Sequence, residues 1–99
     1  MDIAKYVVIH ERLTDGRGNP ITDDEGFFVD REVIYVFPAM VIHREFAENL
    51  MVPKSRWRGA GFVGRQENGV HFCYGKSESM NVDSRSEDTI LLKILLGEM

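Results

Sequence analysis

Apolar side chains recur at alternate positions through residues 3–13. Ile3, Val7, Ile9 and Leu13 fall on one face, and Tyr6, Val8 and His10 on the other. This period of two predicts a strand, and because both of its faces are partly apolar, the strand is expected in the interior of its sheet. Residues 14–26 carry Gly16, Gly18, Gly26, Pro20 and the acidic Asp15, Asp23, Asp24 and Glu25, the composition of a loop. Residues 27–37 resume as a strand, interrupted by Asp30, Arg31 and Glu32, which predicts an exposed bend or bulge before the apolar run 33–37. Pro38 lacks an N–H and stops the ladder. The period then changes: Ala39, Ile42, Phe46 and Leu50 form one stripe opposite Arg44, Glu45, Glu48 and Asn49. An amphipathic helix is expected here, ended by Pro53.

A second β unit follows. Residues 60–66 and 70–75 flank Asn68-Gly69, the dipeptide that favours a two-residue type I′ hairpin. That turn sets Glu67 against Val70, Arg65 against Phe72 and Val63 against Tyr74. It places Val63, Val70, Phe72 and Tyr74 on the core face, with Phe62, His71 and Cys73 on the other. Residues 76–86 are polar and serine-rich. Ser84 and Glu87 then have the spacing of a capping box, opening a helix over residues 87–96 that Gly97 is placed to end. No internal repeat is evident. The expected fold is α+β in the order ββαββα: a small, mostly antiparallel sheet with both helices packed on one face.

Length and charge narrow the picture. The 99 residues are expected to form a single domain, 1–99, and at 43% apolar and 28% charged they need no metal or disulfide to build a core. One cysteine, Cys73, cannot form an internal disulfide, so a reducing, cytoplasmic location is expected. No leader pattern opens the chain, and the longest apolar stretch, 33–42, is about half of what a bilayer crossing needs. A net charge of −4 argues against general affinity for nucleic acid or anionic membrane.

Several motifs invite chemistry. Gly59, Gly61 and Gly64 match the G-x-G-x-x-G dinucleotide pattern, but no apolar strand precedes them and no helix follows, as phosphate binding requires. Asp15 to Gly26 resembles a calcium loop, yet Pro20 and Gly26 stand where Gly and Glu are needed. His71 and Cys73 alternate along a strand. A structural zinc site wants four ligands, and the only other histidines are His10 and His43, with no C-x-x-C in the chain; a buried cysteine behaves as a small apolar residue. No metal and no cofactor are expected. His43, bordering the first helix's stripe, reads as a structural histidine. Lys54, Arg56, Trp57 and Arg58 combine cations with an aromatic, the combination that grips single-stranded nucleic acid. Glu87 and Asp88 would repel an anion from the start of the last helix.

That last helix is apolar over too much of its circumference. Ile90, Leu91, Ile94 and Leu95 are expected to face the core, leaving Leu92 and Leu96 on an uncovered flank suited to an isologous homodimer or a protein partner. The segment 60–92, through Gly61-Phe62-Val63, Cys73-Tyr74-Gly75, Ser77, Ser79, Ser84-Arg85 and Asp88, resembles small uncharacterised proteins of bacteria and their prophages. The resemblance implies a phage-related origin and assigns no activity. The leading expectation is a non-catalytic accessory or protein-interaction protein. A nucleic-acid-binding module using Lys54, Arg56, Trp57 and Arg58 is the alternative, and a thiol- or histidine-dependent enzyme comes third.

Overall fold

The computed structural model describes residues 3–98. Its centre is a four-stranded antiparallel sheet of β1 (Ala4–Arg12), β2 (Asp30–Phe37), β3 (Trp57–Arg65) and β4 (His71–Tyr74), in the order β2-β1-β3-β4. Helix α1 (His43–Asn49) lies between β2 and β3, followed by a 3-10 turn, Lys54–Arg56. A two-stranded ribbon, β5 (Lys76–Ser77) with β6 (Val82–Asp83), precedes helix α2 (Ser86–Leu96). The fold is a small α+β domain with an antiparallel sheet. The expected ββαββα order thus gains a ribbon within the serine-rich segment, where the Ser77 hydroxyl accepts a hydrogen bond from the Met80 N–H at 3.2 Å.

β1 occupies the interior, as its two apolar faces require, and Tyr6, Val7, Val8 and Ile9 are all fully buried. Alternation sends them to opposite sides of the sheet, and each side has its own core. Val7 and Ile9 pack with Phe37, Ala47, Trp57, Ala60 and Met80, beneath α1. Tyr6 and Val8 pack with Ile34, Val63 and Leu92, beneath α2. The helices therefore cover opposite faces, not one. A central strand apolar on both sides needs a cover on each.

The hairpin between β3 and β4 differs from the expected one by a single residue. The Gln66 N–H donates to the Val70 carbonyl at 2.9 Å, leaving Glu67, Asn68 and Gly69 as a three-residue loop in which only Gly69 has positive φ (+87°). The ladder pairs Phe62 with Tyr74, Val63 with Cys73 and Gly64 with Phe72. A one-residue shift exchanges the faces of a strand. Cys73 thus shares the α2 side with Val63, while Phe62, Phe72 and Tyr74 line the other side.

Helix α1 is shorter than its sequence pattern and turned by about one position. His43 and Ala47 are buried, Phe46 and Leu50 are half-buried, and Ile42 is 48% exposed. The ring of Phe46 stacks on Phe37 with centroids 4.1 Å apart. The reason for the turn is His43, whose Nε2–H donates to the Gly61 carbonyl at 2.6 Å between edge-on contacts with Phe37 and Phe62.

Residues 14–28 are all exposed and form an ordered arm on a molecule 45 Å long. Leu13-Thr14-Asp15 and Ile21-Thr22-Asp23, each followed three residues after its Asp by Gly18 or Gly26, form an eight-residue repeat where none was expected. Each Asp Oδ1 accepts two backbone N–H groups of its own loop: Arg17 and Asn19 on Asp15, Glu25 and Phe27 on Asp23. At the base, Leu13 N–H donates to Val29, Val29 to Ile21 and Ile21 to Leu13, at 2.9–3.0 Å. These bonds close a three-membered cycle. The bend expected at Asp30–Glu32 is absent, because the chain enters β2 directly from this cycle.

The loop geometry makes a specific demand at Gly69. Gly69→Val should lower stability by about 1–3 kcal/mol, because a β-branched residue resists positive φ. Gly69→Asn, which tolerates that conformation, should cost less. Thermal melts of the two variants beside the wild type check the order.

Candidate functional site

Helix α2 buries a charge and exposes its hydrocarbons. Asp88 is fully buried at the third helical position. Its Oδ2 accepts the Tyr6 hydroxyl at 2.6 Å and the Arg85 N–H at 3.0 Å. Its Oδ1 accepts Arg85 Nε at 2.9 Å and Nη2 at 2.7 Å. All four lone-pair positions of the carboxylate are filled. Arg85 then spans to β2, giving Nη1 and Nη2 to the two Glu32 carboxylate oxygens at 3.1 and 2.9 Å. Burial, followed by its hydrogen bond to Asp88, pushes the Tyr6 phenol far above its ordinary range. Hydrogen bonding to Arg85 holds Glu32 below the usual carboxylate range.

The helix start is thus set by Arg85 and Asp88, one residue later than the expected Ser84 and Glu87 pair. The expected C-terminus at Gly97 is present in left-handed conformation, φ +70°. Gly59 makes the arrangement sterically possible: a Cβ there would stand 2.2 Å from Asp88 Oδ2. The other glycines of the apparent dinucleotide motif act similarly. A Cβ at Gly61 would stand 2.4 Å from the Tyr74 carbonyl, and one at Gly64 2.8 Å from the Phe72 ring. Close packing explains these glycines without a phosphate.

Asp88 and Leu92, one turn apart, define the inward stripe of α2. Leu92 is fully buried against Tyr6, Val8 and Val63, which corrects its expected place on an exposed flank. Leu96 is 44% exposed, and Ile90, Ile94 and Leu95 are 51%, 63% and 57% exposed. Leu91, Ile94 and Leu95 form one wall of a shallow groove of about 240 Å³ whose other wall is Arg31, Glu32, Val33 and Ile34 of β2.

The remaining sequence candidates are scattered. Trp57 lies in the α1-side core, not on the surface. A register irregularity pairs Val8 with Gly59 but Ile9 with Trp57, and this bulge at Arg58 swings the indole inward. Its Nε1 is buried without a hydrogen-bond partner among the described residues. Arg58 donates to the Ser55 carbonyl at 2.7 Å, Arg56 reaches the His10 carbonyl at 3.4 Å, and Lys54 is exposed. The cations remain near one another, but the stacking ring is gone. Burial and the Asp88 charge push the Cys73 thiol up to about 12. His71 Nδ1 bonds the Glu98 carboxylate at 2.6 Å. A larger open cleft, about 440 Å³, is lined by Ile9, His10, Glu11, Arg12, Met51, Val52, Pro53 and Arg56. Its polar groups are engaged: Asp30 holds His10 and Arg12, and Glu11 accepts the Tyr35 hydroxyl. No group of three or more potential metal ligands occurs among the described residues.

Gly59→Ala should destabilise the domain by about 3 kcal/mol or more, the scale of breaking a buried ion pair. Combining it with Asp88→Ala should cost less than the sum of the two single changes, since both act on one contact. A denaturant-melt double-mutant cycle with no coupling would contradict the assigned contact. Burial lowers the His43 pKa below its ordinary 6.5, so the unfolded chain takes up that proton first. The His43 contribution is therefore complete above about pH 6.5 and declines as pH falls through that value. His43→Gln should flatten the dependence of melting temperature on pH in that window. No family model, curated protein or solved structure matches the chain.

Proposed function

We propose that the chain is a non-catalytic protein-interaction domain whose binding surface is the outer face of α2 and the adjoining groove against β2. One observation carries this reading: an eleven-residue helix buries its aspartate and leaves Ile90, Ile94, Leu95 and Leu96 at 44–63% exposure. Apolar residues scattered singly on a surface are ordinary, but a contiguous strip beside a groove marks a place where another chain binds. The chemistry of the polar groups supports the same reading. Asp88 has no free lone pair, burial pushes the Cys73 thiol up to about 12, and His71 is tied to Glu98. Neither cleft described above is lined by Cys73 or His71. Nucleic-acid binding loses its main support with Trp57 in the core and a net charge of −4.

Ile94→Ser/Leu95→Ser should leave the melting temperature near that of the wild type, because both side chains are mostly exposed. The double variant should lose a protein that the wild type retains on in-cell cross-linking. Equal retention by both, or a collapse of stability in the variant, would overturn the assignment.

A further inference from the structure

The two edges of the sheet are treated differently. At the β4 edge, side chains of the α2 segment occupy the outward backbone donors: Cys73 N–H donates to Thr89 Oγ1 and His71 N–H to the Glu98 carboxylate, each at 3.0 Å. That edge is closed to another strand. At the opposite edge, β2 presents eight residues, and among the described residues no strand or side-chain hydrogen bond covers its outer backbone groups. A bare edge of this length is a template for further pairing, which proteins ordinarily blunt. It lies beside the apolar groove that Leu91, Ile94 and Leu95 form with Arg31, Glu32, Val33 and Ile34.

We infer that the occupant of this surface is a second copy of the chain, its β2 paired antiparallel with the first β2 about a two-fold axis at Val33, so that two four-stranded sheets become one of eight. The inference rests on the reading of the α2 face as a binding surface and names its partner. The axis falls on Val33 because the groove runs along Arg31 to Ile34. In that register Val33 faces Val33 of the other copy, Glu32 faces Ile34, Arg31 faces Tyr35 and Asp30 faces Val36. Like charges are never opposed, and the Arg31–Tyr35 pair sets a cation beside an aromatic. On the α2 side, the exposed Ile94 and Leu95 of each copy close over the axis, adjoining the 40%-exposed Val36. The strip leaves on the order of 400 Å² of apolar surface per copy. Backbone pairing along β2 brings the contact toward the roughly 800 Å² per partner of a stable interface. A two-fold axis uses the same patch twice, so it closes at a dimer and removes the bare edge instead of propagating it.

Sedimentation equilibrium at tens of micromolar, with three proteins, tests the geometry. The wild type should be a dimer. Ile94→Glu/Leu95→Glu should be a folded monomer, by unchanged far-UV circular dichroism and melting temperature. Val33→Cys should form a disulfide-linked dimer under mild oxidation, since directly opposed antiparallel residues lie ~4.5–5.5 Å apart at Cα, within disulfide range. A monomeric wild type overturns the inference. So does a dimer that survives the double substitution, or one that Val33→Cys does not cross-link. These failures are separable from failure of the broader reading. A monomeric wild type whose cross-linked protein partner is lost in Ile94→Ser/Leu95→Ser leaves the interaction surface in place and removes only the second copy.

Discussion

The Asp88 carboxylate accepts four hydrogen bonds in a site closed to water, from a phenol on β1, a backbone N–H at its own helix start and two guanidinium donors. A buried carboxylate with any of these missing would carry an uncompensated charge, at a cost of several kcal/mol. The group therefore tolerates few placements of the helix relative to the sheet. Tyr6 fixes its height above β1, Gly59 admits it against β3, and Arg85 extends the same charge network to Glu32 on β2. Three strands and the last helix are registered to one another through one side chain. Well-packed hydrocarbons of similar volume would often hold the same elements as firmly, so the network by itself is weak evidence for added stability.

The exposed face of α2 follows from that constraint. With Asp88 pointing inward, Leu92 must follow it one turn later, and the residues between are carried to the flanks and outer surface. Ile90 and Ile94 then meet solvent even though any apolar partner would cover them favourably. The uncovered edge of β2 lies along the same groove, and the proposed interface draws on both features.

The other face of the sheet is built on different terms. There α1 is short, its burial rests on Ala47 and His43, and aromatic rings from β2, β3 and β4 surround the imidazole or lie near it. His43 donates to the Gly61 carbonyl, and burial favours its neutral form. The projecting arm is ordered largely by local bonds: each loop satisfies its own N–H groups with an aspartate, and the three-carbonyl cycle at the base fastens both loops to the end of β1, where the Arg12 guanidinium also lies over the Phe28 ring. Its Asp15 and Asp23 carboxylates serve the turns.

Periodicity and punctuation in the sequence determined the elements. An interior first strand follows from two apolar faces, a hairpin around Gly69 from its flanking strands, and a terminal helix ended by Gly97 from its composition and cap. These features are local, since each depends on residues within a few positions of one another. What lay beyond the sequence is the set of choices that depend on distant partners. The one-residue change at the hairpin, which exchanged the faces of β4, turned on whether Gln66 or Glu67 paired with Val70, a difference invisible to alternation alone. The inward swing of Trp57 depended on a bulge against β1. The placement of Leu92 inside and Ile94 outside depended on Asp88. A charged residue is ordinarily assigned to solvent, and only the convergence of Tyr6, Arg85 and a glycine from three separate segments made its burial favourable. Secondary structure is decided by neighbours in the chain, but the facing of each element is decided by whichever polar group finds all its hydrogen bonds in the interior.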